Sequence, residues 1–216
     1  MLKLLPAFDP ARAPRVLFLG AHSDDIEIGC GGAVLRLLAE HPSVRVRWVV
    51  LGCTPERAEE ARRSAADFLR AADRPEVLTL DFPDSYFPSR VPDLKRRFES
   101  LGDFEPDLIF THAEHDRHQD HRVVSELAWN TFRNHMILEY EVAKYDGDLR
   151  SPNFFVTLPG ATARRKVDLL MSHFASQRAK HWFDREVFTG LMRIRGVESR
   201  APEGYAEGFY ARKAVL

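Results

Sequence analysis

Two short stretches hold most of the side chains in this sequence that can do acid–base or metal chemistry. The first is Gly20-Ala21-His22-Ser23-Asp24-Asp25. The second is Thr111-His112-Ala113-Glu114-His115-Asp116-Arg117-His118-Gln119-Asp120-His121, with four of the nine histidines of the chain inside ten residues. His22 and Asp25 are three apart, so a turn brings both onto one centre. His118 and His121 are also three apart and share one face of a helical turn. Imidazole and carboxylate are common zinc ligands, and histidine beside paired aspartates is costly to bury unless paired or bound to a metal. Each cluster has a plainer reading. Asp24 or Asp25 can serve only as the cap of a following helix, and the second cluster can be a solvated, charged helix start.

The elements around the clusters decide how they meet. Residues 16–19 are a continuous apolar run, the mark of a strand buried on both faces in a parallel sheet. A helix is predicted at 32–40, a strand at 44–51, and a helix at 55–71 with Thr54 as cap and Pro55 in its first turn. Strands at 77–80 and 107–111 alternate with helices at 91–101 and 119–132. This alternation predicts an α/β, Rossmann-like, mostly parallel sheet flanked by helices, with right-handed crossovers. The clusters follow the first and fourth strands, so both fall at the carboxyl edge, where open sheets bind ligands. Further on, 136–142 and 154–158 read as strands, and 162–172 and 177–184 as helices. No repeat or linker interrupts the chain, so residues 1–216 read as a single domain.

The chain has 216 residues, with 31 Lys+Arg against 32 Asp+Glu and a formal net charge of −1. That balance removes the basic field of a nucleic-acid binder, and 44% apolar content removes a disordered chain. Two cysteines, Cys30 and Cys53, are too few for a disulfide scaffold or a four-cysteine zinc site; they read as small apolar fillers in a reducing, cytoplasmic setting. Met1-Leu2-Lys3-Leu4-Leu5-Pro6 is apolar for too few residues to be a signal peptide, and no run reaches the roughly 20 residues of a membrane span. Gly29-Cys30-Gly31-Gly32 does not have the spacing of a dinucleotide loop, and the second strand ends in Gly52-Cys53 rather than in an acid for a ribose. These glycines read instead as points of close backbone approach.

At these residues the sequence resembles the PIG-L / LmbE-like zinc-dependent N-deacetylases. Ala21-His22-Ser23-Asp24-Asp25 is similar to that family's A-H-P-D-D motif, and Asp116-Arg117-His118-Gln119-Asp120-His121 to its D-x-H-x-D-H motif. Weaker likenesses are Arg57-Ala58-Glu59-Glu60, Phe82-Pro83-Asp84, His173-Phe174-Ala175-Ser176-Gln177 and Tyr205-Ala206-Glu207-Gly208-Phe209. Two departures stand out: Ser23 replaces the usual proline, and Ile26 stands where many members have glutamate, with Glu27 one place later.

The resemblance implies His22, Asp25 and His121 as ligands of a catalytic Zn2+, with another divalent ion as the substitute. It implies Asp24 as general base, His118 and Asp120 as a paired acid and orienter, and Arg57 and Asp84 as contacts to a sugar. The implied reaction is removal of an acetyl group from an N-acetylated amino sugar or its conjugate. The implied partner is thus a small molecule, with no nucleic acid and no integral membrane segment; a homo-oligomer is left open. Three protein ligands leave a position for water, as in catalytic zinc sites. The same site acting on another small amide is the alternative. A non-catalytic metal- or nucleotide-binding module is the other, and it would be marked by loss of Asp24 or His118. Simpler readings also stand: an Arg57–Glu60 pair on a solvated helix face, Asp84 shaping a turn, His112 and His115 as loop or supporting polars, His173 satisfied at a helix end, and Tyr205 and Glu207 in a packed C-terminal segment.

Overall fold

The computed structural model describes residues 8–215; the N-terminal hexapeptide considered above lies outside them. The apolar run at 16–19 does form a strand, β1 (Arg15–Gly20), with Val16 to Leu19 fully buried. Its side chains alternate between two cores. Val16 and Phe18 join one, Leu17 and Leu19 the other. A strand in the middle of a three-layer α/β stack has no polar face to spare, hence the unbroken run.

In chain order β1 is followed by α1 (Asp25–Glu40), β2 (Arg45–Val50), α2 (Pro55–Phe68), β3 (Glu76–Thr79), α3 (Val91–Ser100), β4 (Leu108–His112), α4 (Gln119–Thr131) and β5 (Met136–Tyr140). Then come β6 (Phe154–Leu158), α5 (Gly160–His173), α6 (Arg185–Glu198) and β7 (Tyr205–Ala211). The seven strands lie in the order β3-β2-β1-β4-β5-β7-β6. The first five are parallel, and β7 pairs antiparallel with both β5 and β6. One core packs α1, α2, α5 and α6 on one face of the sheet, the other α3 and α4 on the opposite face. Strand order reverses at β1, so the crevice beyond the carboxyl ends of β1 and β4 is the switch point of the sheet.

Three differences from the sequence reading have physical causes. The first helix starts at Asp25, not at residue 32, and is broken at Cys30, which has φ −143° and ψ 16°. Its glycines are there for packing: a Cβ on Gly29 would sit 2.1 Å from the Tyr140 ring. Near residue 177 there is only a 3-10 turn, Ala175–Gln177. The helix begins at Arg185, where the Asp184 side chain accepts the Glu186 N–H at 2.7 Å. The C-terminal segment is a sheet strand, β7. As expected, Thr54 caps α2 by accepting the Arg57 N–H. Among the described residues no helix is long and apolar enough to cross a membrane.

Candidate metal and catalytic site

The loop after β1, the β4–α4 loop and the loop after β3 meet at the switch point. His22, Asp25 and His121 face one another there, their side chains 14%, 5% and 3% exposed. His22 Nδ1 lies 3.3 Å from His121 Nε2 and 3.4 Å from Asp25 Oδ2, while His121 Nε2 lies 3.4 Å from Asp25 Oδ1. An ion with tetrahedral bonds of about 2.0–2.1 Å has ligand–ligand edges of roughly 3.3 Å, close to the spacing of the two nitrogens and of each from one Asp25 oxygen, Oδ2 for His22 and Oδ1 for His121; His118 groups with His22 and His121, and His112 with Asp25 and His121, within 4.8 Å at the same centre. Asp25 is held in place by the His22 backbone N–H, which donates to its Oδ2 at 2.6 Å.

Both imidazoles are aimed by carboxylates behind them. His121 Nδ1 is 2.9 Å from Asp116 Oδ2, which frees Nε2 to face His22 and Asp25. Asp116 in turn takes the His118 N–H at 2.8 Å and lies 3.0 Å from the ammonium of Lys144, itself bound to Asp148 at 2.7 Å. His22 Nε2 is 3.1 Å from Asp120 Oδ2 and 3.2 Å from Asp84 Oδ1. Carboxylates in this position fix ring orientation and raise ligand basicity. Burial opposes charging of His22, but Asp120, Asp25 and Asp84 raise its pKa well above the usual histidine value. Asp25, also penalised by burial, is held well below the usual carboxylate range by His121 and His112.

The partner of Asp120 differs from the expectation. Its carboxylate accepts the Ser85 and Phe87 N–H groups at 2.6 and 3.1 Å and meets His22, not the His118 ring. The contact with His118 runs through the backbone: the Asp120 N–H donates to His118 Nδ1 at 3.3 Å. His118 is the N-cap of α4, which turns its ring onto that amide and sends the Asp120 side chain inward. Burial, with the charges of His121 and His22, lowers the His118 pKa.

Asp24 stands at the N-cap of α1 but makes no capping hydrogen bond with its side chain. Its Oδ1 instead accepts from Arg57 Nη2 at 2.7 Å, and Oδ2 has no partner among the described residues. Burial raises the Asp24 pKa and Arg57 opposes the rise. The simpler Arg57–Glu60 pairing is absent: Glu60 is buried and accepts Ser176 N–H at 3.0 Å and Ser176 Oγ–H at 2.6 Å. Asp84, with its side chain 72% exposed, stands at the rim of the site.

The other histidines divide. His112 is fully buried, accepts the Ala21 N–H at 3.0 Å and stacks on His121 with ring centroids 3.8 Å apart. Burial pushes its pKa down to about 4, so it supports the site as a neutral ring. His115 packs against Tyr210, and His173 bonds Asp67 at 2.9 Å.

Sequence reasoning passed over Lys144 and the part taken by Glu207. The Glu207 carboxylate accepts the N–H groups of Gly32 and Ala33 at 2.8 and 2.6 Å and the Lys166 ammonium at 2.6 Å. Lys166 also donates to Ile28 O at 2.6 Å. The pair thus ties both sides of the break at Cys30 and holds the first turn of α1, where Asp25 sits. The available signal was an acid inside the apolar strand motif at 205–209.

A curated relative, the uncharacterized deacetylase YaiS of Escherichia coli (strain K12), is 28% identical over 138 residues, covering 58% of this chain and 72% of YaiS. The N,N'-diacetylchitobiose deacetylase from Pyrococcus horikoshii shares the fold with TM-score 0.72 at 20% identity, covering 92% of this chain and 84% of that one. GalB, the 4-carboxy-2-hydroxymuconate hydratase of Pseudomonas putida KT2440 (TM-score 0.75, 18% identity, 94% and 98% covered), shows that the fold alone does not decide the reaction. Residues 17–132, which carry both clusters, match the family described as PIG-L: GlcNAc-PI de-N-acetylase. The chain belongs to the PIG-L family of deacetylases.

Proposed function

We propose that this protein is a metal-dependent N-deacetylase, one domain in extent, that hydrolyses the acetamide of an N-acetylated amino sugar or sugar conjugate. The observation that carries the reading is the convergence of His22, Asp25 and His121 beside Asp24, whose free Oδ2 is backed by Arg57. His22, Asp25 and His121 would hold the ion. Zinc suits this set, and other divalent ions also do. When bound, such an ion lowers the pKa of water and polarises an amide carbonyl.

Asp24 Oδ2 accepts the proton of the attacking water, while Arg57, donating to Oδ1, favours the carboxylate form against the rise that burial causes. His118, which the resemblance gives as the acid, is favoured as a neutral ring by its burial and by the charges of His121 and His22. With Nδ1 taken by the Asp120 amide, the neutral tautomer presents Nε2–H, a donor for the oxyanion that develops on the amide oxygen. Asp120 acts by holding His22. The proton on Asp24 then passes to the departing nitrogen as the C–N bond breaks, giving acetate and a free amine. Asp84, exposed at the rim, and Arg57, partly exposed beside Asp24, would position the sugar.

The test is acetate release from a panel of N-acetyl sugars and conjugates by metal-loaded protein, with metal analysis. A reactive sugar and about one tightly held ion per chain are expected. Turnover that survives in metal-free protein would refute the mechanism, and turnover confined to non-sugar amides would refute the substrate class.

A further inference from the structure

We propose that Ser85 is a positioning residue that sets how tightly this centre holds its sugar, by keeping the Asp84 carboxylate turned inward. The inference rests on the reading of Asp84 as a sugar contact given above. Pro83-Asp84-Ser85-Tyr86 is a β-turn, closed by the Tyr86 N–H donating to Pro83 O at 3.2 Å. Ser85 is its third residue and has φ +70°. A turn with positive φ at that position ordinarily takes glycine there, because a Cβ is crowded in the left-handed region. Serine therefore stands at a steric cost that glycine would avoid. Strain of this kind clusters at functional sites, and here the side chain makes a contact that glycine cannot.

That contact is with Asp84. The Ser85 hydroxyl donates to Asp84 Oδ1 at 3.1 Å, and the same oxygen lies 3.2 Å from His22 Nε2. The Asp84 side chain is 72% exposed, so packing does not choose its rotamer; the hydroxyl and His22 do. The turn itself is anchored without the hydroxyl. The Ser85 and Phe87 N–H groups donate to the two oxygens of Asp120 at 2.6 and 3.1 Å, and Gln119 Nε2 donates to Ser85 O at 3.3 Å. These are backbone groups of the turn, which alanine or glycine at position 85 also supplies. Removing the hydroxyl thus frees Asp84 while the contact of Asp120 with His22 stays.

A carboxylate aimed in advance loses less rotamer freedom when it binds a sugar hydroxyl. Asp84 takes no part in the proton transfers, so its contact is made alike before and during bond cleavage. Such a contact lowers KM and leaves kcat where it was. The hydroxyl of Ser85 therefore acts on sugar affinity, through Asp84, and not on the chemical step.

The experiment measures kcat, KM and bound metal for Ser85→Ala and Ser85→Gly. The substrates are the N-acetyl sugar turned over best by the wild type, starting from N-acetylglucosamine, and a minimal acetamide. Each variant should raise KM for the sugar by about three- to tenfold, the worth of one ordinary hydrogen bond. The kcat values, the metal content and the rate on the minimal acetamide should stay within about twofold of wild type, well inside the effect of that one bond. Glycine relieves the turn, so an unchanged KM in Ser85→Gly would show a purely structural residue and overturn the proposal. Equal losses on both substrates would overturn it as well. In an Asp84→Ala background, Ser85→Ala should add nothing, since the two act as one unit; a full further loss would show that serine touches the sugar itself. A wild type that turns over no N-acetyl sugar would refute the substrate reading instead. The aim of Asp84 is then read from crystal structures: its carboxylate should leave His22 in Ser85→Ala and stay there in the wild type, and an unmoved Asp84 would overturn the proposal.

Discussion

Replacing Arg57, on the first turn of α2, by methionine removes the cation bound to Asp24 while keeping most of the side-chain length. The contact is a charge-assisted hydrogen bond of 2.7 Å, with Asp24 5% and Arg57 21% exposed. Such bonds contribute about 1.5–3 kcal/mol, and partial exposure of the arginine places this one at the low end. Taken as differential stabilisation of the charged carboxylate, about 1.5 kcal/mol is roughly one pKa unit, which lowers kcat/KM by up to about tenfold on the acidic limb. Burial raises the Asp24 pKa and Arg57 is the largest charge that counteracts it, so the pKa rises further in the variant. Activity needs the carboxylate form, so the acidic limb of the kcat/KM profile moves to higher pH. The assay measures kcat/KM across that limb for an N-acetyl sugar and for a minimal acetamide, with metal content checked in parallel. Both substrates should lose about the same factor, and the ion should stay. A loss confined to the sugar, with an unmoved acidic limb, would show that Arg57 serves only as a substrate clamp.

Asp24→Asn should retain the metal and slow turnover by roughly 10²–10⁴-fold, whereas Asp25→Ala should lose metal and activity together; metal analysis beside steady-state kinetics separates the two, and reversed results would exchange their roles. Chelation should abolish activity and lower Tm, since an ion that binds only the folded chain stabilises it by mass action; a Tm unchanged by chelator would count against a resident ion. Gly29→Ala puts a methyl 2.1 Å from the Tyr140 ring, so thermal unfolding should show a destabilisation of about 1–3 kcal/mol or more.

The fold was legible where burial on both faces left one possible pattern. The run at 16–19 could only be a central strand, and the clusters after β1 and β4 had to meet because the sheet is parallel and reverses there. The first turn of α1 was not legible, because Asp25 to Gly32 lacks helical apolar periodicity: carboxylates and glycines replace it for the site and for Tyr140. The helix at 185–198 was misplaced upstream because Trp182 and Phe183 add apolar weight outside it, while the real start is marked only by the Asp184 cap. At the site, the residue types named the members but not their pairings. Asp120 reaches His22 rather than His118, and Lys144 reaches Asp116, through approaches that no local spacing encodes.

The last strand of the chain is also the piece that completes the sheet. β7 lies between β5 and β6, although both precede it, so β6 has no place in the sheet until β7 arrives. Glu207 sits on that strand, and without it Gly32, Ala33 and Lys166 lose a shared buried acceptor. Late, long-range pairing of this kind is slow to form. The first turn of α1, and with it Asp25, therefore gains its support from the opposite end of the chain. Under the proposed function, the ligand Asp25 would reach its final position only when the last strand of the chain has paired. Pulsed hydrogen exchange during refolding would register this as protection of the Gly32 and Ala33 amides arriving together with that of β7.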